Sequence, residues 1–139
     1  MAALSITASA VLKGSGATVA TGLAGATITQ GQSVYFDTAT STWKLALGGA
    51  GTAEQAGASG VGIALNAASA NQPLSVLTQG PLTINSAATV GTSYYLGDNA
   101  GEIVPSTDVG TGDRVTYLGT ATLATVLAIQ PHVTGIAKP

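Results

Sequence analysis

The sequence predicts an all-β protein: a small β-barrel or sandwich built from two similar four-strand units, with an extended N-terminal arm. Three observations predict this fold class. Apolar and polar residues alternate over many short stretches, which is typical of half-buried strands. The chain has 19 glycines and many β-branched residues, which disfavour helices. A similar pattern of glycine and apolar residues also occurs twice along the chain.

The 139 residues suit one domain with its own hydrophobic core. We expect residues 1–25, which are rich in Ala, Ser, Thr and Gly, to form the arm and to order on a partner, apart from one strand near Leu4 to Leu12. Residues 26–139 are expected to form the barrel or sandwich. Within them the duplicated units span approximately 26–79 and 88–131.

The predicted strands share an apolar residue at every second position. They are marked by Leu4, Ile6, Ala8 and Ala10; Val34 and Phe36, with Tyr35 on the opposite face; Val61, Ile63 and Leu65; Leu74 and Val76; Leu82 and Ile84; Val115 and Tyr117; and Leu123, Leu127 and Ile129. The repeat is clearest where Gly31-Gln-Ser-Val-Tyr35 is matched by Gly91-Thr-Ser-Tyr-Tyr95. An Ala-Thr-apolar triplet precedes both strings.

Turn-forming residues separate the predicted strands. Residues 37–42, 98–101 and 108–113 are polar or glycine-rich and predict turns or loops. Gly80-Pro81 predicts a bend or an edge position. Residues 48–60 form the longest stretch without a strand pattern, and we expect a mobile surface loop there.

The composition argues against several classes of partner. Charged residues make up 7% of the chain, against about 25% in ordinary soluble domains, and the formal net charge is -2. The few cations are scattered, so we expect no binding of nucleic acid or anionic lipid. No run of 18 apolar residues predicts a membrane span, and no signal-peptide pattern precedes the first strand. With 4% aromatic residues, we expect the chain to bury further surface against its own copies or a partner.

The candidate acid–base and metal-binding residues fall in predicted turns, where carboxylates commonly bond to the backbone. The acids are Asp37, Glu54, Asp98, Glu102, Asp108 and Asp113. A carboxylate pair could carry out glycoside hydrolysis, and a calcium site is conceivable in the 98–102 or 108–113 loop, although the EF-hand pattern does not match. Solvated turn acids are the preferred interpretation.

Two further side chains need an interpretation. His132 is the single histidine, and a Ser–His–Asp triad is formally possible, but the sequence has no nucleophile-elbow motif. Trp43 could stack on a sugar, although its strand position favours a role in the core or at an interface. We therefore expect no catalytic, cofactor-binding or metal-binding residues, no small-molecule substrate and no enzymatic activity.

The second half carries the string Gly91-x-x-Tyr94-Tyr95-Leu96, followed by Gly101, Ile103, Pro105, Gly112, Leu118-Gly119-x-Ala121 and Ile129-x-Pro131. The first half carries Gly31-x-x-Val34, Gly62-x-Ala64 and Gln72-Pro73-x-x-Val76. Over residues 26–131 this resembles a β module that recurs in virion proteins of tailed bacteriophages. The paired arrangement is similar to small capsid decoration (cement) proteins.

The resemblance implies a structural protein on the capsid exterior, made in the host cytoplasm, that binds the major capsid protein and stabilises the expanded head. It also implies a homotrimer. Related modules occur in tail-fibre and neck proteins, so a receptor-binding module that contacts host glycans stays open as the alternative. A small hydrolase using His132 or a carboxylate pair is the third hypothesis.

Overall fold

The computed structural model of the chain describes residues 4, 6–49, 52, 54–85 and 88–138. These residues form ten β-strands, two short 3-10 turns at Ala8–Ala10 and Ser106–Asp108, and no α-helix. The strands are β1 (Leu12–Lys13), β2 (Thr18–Leu23), β3 (Ser33–Asp37), β4 (Thr42–Leu45), β5 (Val61–Ala64), β6 (Pro73–Thr83), β7 (Ser93–Leu96), β8 (Ile103–Pro105), β9 (Arg114–Leu123) and β10 (Val126–Ala137). The predicted all-β fold class is confirmed.

The strands pair antiparallel in the order β4-β3-β5-β6-β10-β9-β7-β8, and the sheet curls into a half-barrel. The long strand β6 joins its two halves. The first part of β6 pairs with β5 and β2, and the last part pairs with β10 and β1. The predicted bend at Gly80-Pro81 lies where these two parts meet. Gly80 has a φ of +114°, and a Cβ there would lie 2.6 Å from the Cα of Ala17, so glycine is required.

Two units with the same pairing order make up the sheet. In the first unit (β3 to β6), β3 lies between β4 and β5; in the second unit (β7 to β10), β7 lies between β8 and β9. The backbone N–H of Gly31 donates to the carbonyl of Ala64 at 2.9 Å, and that of Gly91 donates to Ala121 at 2.8 Å. Both glycines have positive φ, +94° and +83°. The repeated sequence string therefore marks the same glycine turn twice.

The main hydrophobic core fills the space between the two units. One face of the strands in each unit contributes to it. The core side chains are Tyr35, Val61, Ile63, Leu77 and Leu82 from the first unit, and Tyr94, Leu96, Ile103, Leu118, Ala121, Leu127 and Ile129 from the second.

Non-equivalent faces of the two units meet in this core. Val34 lies opposite Gly62 in the first unit, and Tyr94 lies opposite Gly119 in the second, so Val34 and Tyr94 are equivalent. However, Tyr94 belongs to the main core, whereas Val34 belongs to a second cluster on the far side of the first unit. Because side chains alternate along a strand, Tyr95 points away from the main core. The face of the second unit that carries Tyr95 therefore points outward, away from the main core.

The N-terminal segment covers the edges of the sheet and the far side of the first unit. The backbone N–H of Leu4 donates to the carbonyl of Ile103 in β8 at 2.8 Å. The N–H of Gly25 donates to the carbonyl of Trp43 in β4 at 2.7 Å. Ala24 is buried in the second cluster. Edge strands present unpaired backbone groups, and these bonds satisfy some of them within the chain.

This arrangement differs in detail from the sequence prediction for residues 1–25. The described part of the predicted arm contains a 3-10 turn and the strands β1 and β2, and both strands pair with β6, so this segment belongs to the sheet. The strand expected near Leu4 to Leu12 is absent from the described residues, because Ala8–Ala10 form a 3-10 turn and the strands begin at Leu12 and Thr18. The alternation over Ala8 and Ala10 offers little bulk to bury, so it specifies strand pairing weakly.

The stretch from 48 to 60, expected as a mobile loop, is held to the second unit through its described residues. The carbonyl of Ala56 accepts a hydrogen bond from the buried hydroxyl of Thr116 at 2.6 Å. The carbonyl of Gly48 accepts from the N–H of Arg114 at 2.8 Å. A Cβ on Gly48 would lie 2.8 Å from the carbonyl oxygen of Arg114. The small residues of this stretch thus allow its backbone to approach the second unit closely. From the composition alone, the same residues predicted a mobile loop.

Candidate functional site

The first group of ionisable side chains lies on the β3–β4 hairpin. Asp37 forms a salt bridge with Lys44 at 2.7 Å, and its other oxygen accepts the backbone N–H of Ala39 at 3.0 Å. The hydrogen bond from Lys44 is the main reason that the pKa of Asp37 is lowered to about 2. Glu54 accepts hydrogen bonds from the backbone and the hydroxyl of Thr38. These bonds hold the turn in place. Because the Asp37 carboxylate is kept ionised, it stabilises the turn and is a poor proton donor.

The second group joins two loops that the sequence analysis kept apart. Asp98, in the loop after β7, interacts with Asp113, in the loop before β9. Hydrogen bonding with the Asp113 carboxyl, burial and the negative charges of Asp113 and Glu102 raise the pKa of Asp98. Asp113 also accepts the backbone N–H of Gly110 at 2.7 Å. The pair therefore ties neighbouring loops together, and Asp98 is exposed at their tip.

The structure also places the proposed calcium ligands and the lone histidine. In the described parts of the chain, no group of three or more His, Asp or Glu side chains is arranged to hold a metal ion. His132 is exposed on β10, opposite Tyr117 on β9. Its imidazole forms no hydrogen bond or ion pair with any residue that the structure describes, so a catalytic triad is not assembled there.

Trp43 lies inside the protein rather than in a pocket. It is 6% exposed and packs edge-to-face with Phe36, with ring centroids 5.3 Å apart. A Cβ on Gly22 would lie 3.0 Å from its Nε1 atom, so β2 closes over the indole ring. Sugar stacking needs an open ring face, and Trp43 does not offer one.

Two cavities lie against the N-terminal segment. One, of about 520 Å³, is lined by residues that include Leu12, Val19 and Leu65, with Lys13 as its one charged side chain. The other, of about 290 Å³, is lined by residues that include Leu4 and Ile6, with Glu102 as its one charged side chain. A single ionisable group in each gives neither cavity the acid–base pair or nucleophile and base that catalysis requires.

The most distinctive surface is the outward face of the second unit, which we call the open face. Its residues are Leu12, Thr83, Ser93, Tyr95, Tyr117, Thr120, Leu123, Val126, Ala128 and His132. Leu12, Thr83, Val126 and Leu123 lie in one row across four strands. Leu12 is 63% exposed and Leu123 is 58% exposed. No Asp, Glu, Lys or Arg belongs to this face.

Tyr95 and Tyr117 lie at one corner of the open face, where β7 pairs with β9. Their rings pack edge-to-face with centroids 5.7 Å apart, and the hydroxyl of Tyr117 shares a hydrogen bond with Thr120. A cavity of about 180 Å³ beside Tyr95 is lined mainly by apolar atoms, and Lys138 at its rim donates to the carbonyl of Val109 at 2.7 Å. Rigid aromatic rings beside a shallow apolar cavity are typical of contact surfaces between proteins.

The open face was not predicted from the sequence. The signal lay in the repeat: Ile63 and Leu77 of the first unit correspond in register to Thr120 and Ala128 of the second. Large core residues are thus replaced by small or polar ones, which is what an exposed strand face requires.

Comparison of the chain with family models, with curated proteins and with solved structures found no match. In the part of the chain that the structure describes, no helix is long and apolar enough to cross a membrane.

Proposed function

We propose that this chain is a non-enzymatic structural virion protein that binds the outside of a bacteriophage capsid and stabilises the expanded head. Its partner is the major capsid protein, and it acts as a homotrimer without a cofactor. It is made in the host cytoplasm and resides on the capsid exterior. The resemblance of residues 26–131 to paired modules of capsid decoration proteins supports the phage assignment.

One structural observation carries the proposal of passive binding. The chain exposes a sheet face on which none of the described side chains is Asp, Glu, Lys or Arg, while Asp37 and Asp113 are bound within turns. A surface of this kind suits contact with another protein, and ordered aromatic residues such as Tyr95 and Tyr117 lose little entropy on binding. Many copies on one capsid would add weak contacts into a strong overall attachment.

Capsid binding tests the proposal directly. Purified chain is mixed with expanded and with unexpanded heads of its own phage, and bound protein is quantified after sedimentation. We expect saturable binding to expanded heads and little to unexpanded heads. Absence of binding to either form would refute the proposed function.

No second function is favoured by the geometry. The glycan-binding alternative depended on Trp43, whose ring is buried. The hydrolase alternative depended on His132 or a carboxylate pair, and the Asp98–Asp113 pair lies at exposed loops.

A further inference from the structure

We propose that the cavity of about 520 Å³ beside β1 and β2 binds an aliphatic carboxylate, a free fatty acid of medium chain length. We call this space the Lys13 cavity. It lies between β1, β2 and β6, and Gln30 and residues 65–66 complete its walls. This inference goes beyond the proposed function, because it concerns a small ligand held by one chain and is tested without a capsid.

The Lys13 cavity continues the main hydrophobic core. Ile63 and Leu77 are fully buried in that core. Leu65 and Ser75 lie two positions away along the same two segments, on the same faces, and both line the cavity. Leu65 packs against the core, whereas Ser75 is too small to fill the space beside Leu77. An apolar group placed there would extend the core and lose its contact with water.

Hydrogen bonds hold the walls of the cavity in place. The side-chain amide of Gln30 donates to the carbonyl of Val11 at 2.7 Å. The amide of Asn66 donates to the carbonyl of Pro73 at 3.1 Å, and its oxygen accepts the backbone N–H of Ser75 at 2.7 Å. These bonds join segments that are distant along the chain. The cavity is therefore formed before a ligand arrives, which lowers the cost of ordering on binding.

Lys13 supplies the single charge of the cavity. It pairs with Leu82 across β1 and β6, so its side chain lies on the face that carries the buried Leu82. Lys13 itself is exposed, and its ammonium forms no ion pair or hydrogen bond with any residue that the structure describes. No Asp or Glu is among the described residues that line the cavity. A carboxylate would give this ammonium a charged hydrogen-bond partner.

Size, walls and charge together select the class of ligand. Small-molecule sites commonly enclose about 300–1,000 Å³, and this cavity lies within that range. A linear alkyl chain can lie along Val19 and Leu65 while its carboxylate reaches the flexible Lys13 side chain. A sugar would lose hydrogen bonds to water against the apolar walls, and a cation would be repelled by Lys13.

This site differs from a membrane-binding surface. Attraction to an anionic membrane requires several clustered cations, and the cations of this chain are scattered. One carboxylate in a cavity requires only one cation, together with apolar walls that bury its alkyl chain. The ligand is therefore expected as a single free molecule, which would stabilise the folded chain by binding to it alone.

Methyl NMR of the complete chain tests the proposal, with hexanoate, octanoate and decanoate as the probes. We expect the signals of Val19 and Leu65 to shift saturably, while those of Val104, on the edge strand β8, stay fixed. Affinity should rise by up to about fourfold for each added methylene, the gain expected from its complete burial. Octanol should bind more weakly than octanoate, and octyltrimethylammonium should not bind.

Variants separate the charge from the apolar walls. Lys13→Gln should weaken octanoate binding by about two- to fivefold and leave octanol binding unchanged, whereas Lys13→Arg should bind like the unmodified chain. The matched control is Gln130→Glu, which changes the net charge by the same amount at an exposed position on β10 and should leave both affinities unchanged. Val19→Trp fills the cavity and should abolish binding of both ligands.

Any of three results would overturn the inference. They are the absence of a saturable shift at Val19 and Leu65 with decanoate, equal affinity for octanoate and octyltrimethylammonium, and an unchanged preference of Lys13→Gln for octanoate over octanol. If Val19→Trp fails to fold, the Lys13 variants and the chain-length series still decide, because Lys13 is exposed and its substitution leaves the core intact. Failure of this inference leaves the capsid-binding proposal standing, since the two assays share no component except the chain.

Discussion

Leu77 and Ala128 occupy equivalent places in the two units but face opposite environments, so exchanging their sizes tests the architecture. Leu77 is fully buried in the main core, whereas Ala128 is exposed on the open face. Leu77→Ala removes three buried carbon atoms and leaves a cavity between the units. Such substitutions cost about 2–5 kcal/mol of unfolding free energy. That is a large part of the ~5–15 kcal/mol by which a domain of this size is stable.

The assay is urea unfolding at low protein concentration, followed by far-ultraviolet circular dichroism. With a slope of about 1.5 kcal/mol per molar urea, a loss of about 3 kcal/mol lowers the midpoint by about 2 M. The matched variant Ala128→Leu adds carbon atoms to an exposed strand position and should change stability by less than about 0.5 kcal/mol. A loss below about 1 kcal/mol for Leu77→Ala, or a larger loss for Ala128→Leu, would show that the core faces are wrongly placed.

Further predictions concern pH and the glycine turns. The pKa of Asp37 is lowered to about 2 in the folded protein, so its contribution to stability is complete above the unfolded value near 3.8 and is lost as pH falls towards 2. Asp37→Asn should remove that part of the acid sensitivity in melting curves recorded between pH 2 and 5. The pKa of Asp98 is raised, so the folded state binds this proton more tightly and stability falls as pH rises above 3.8 through the raised value. Asp98→Asn should therefore raise the melting temperature at pH 7 but not at pH 3, and an equal change at both would contradict the shared proton. Gly91→Ala should cost about 1–2 kcal/mol from positive φ alone, because no atom lies within 4 Å of the added Cβ. Gly31→Ala should cost more in urea unfolding, because its Cβ would also lie 2.9 Å from the Ile6 side chain.

Much of the fold was predictable because alternation and glycine turns are local signals. Val61 and Ile63 predicted β5, and the repeated Gly31 and Gly91 strings predicted equivalent turns, which the structure contains. A residue's face on a strand follows from the period of two. The face that enters the core does not, because it depends on how the two units dock.

The way in which the two units dock determines several contacts that the sequence did not predict. Val34 and Tyr94 are equivalent in register, yet they lie in different clusters. Likewise, Asp98 and Asp113 approach each other because β7 pairs antiparallel with β9, although they stand in separate turns of the sequence. The pairing of β2 with β6 joins residues fifty or more positions apart, and no local pattern specifies such contacts.

A cryo-electron microscopy map of the virion of the encoding phage tests the central claim most directly. We predict density for this chain on the outside of the expanded head, bridging neighbouring capsid subunits. Density confined to the tail, or no density for the chain anywhere on the particle, would contradict the account.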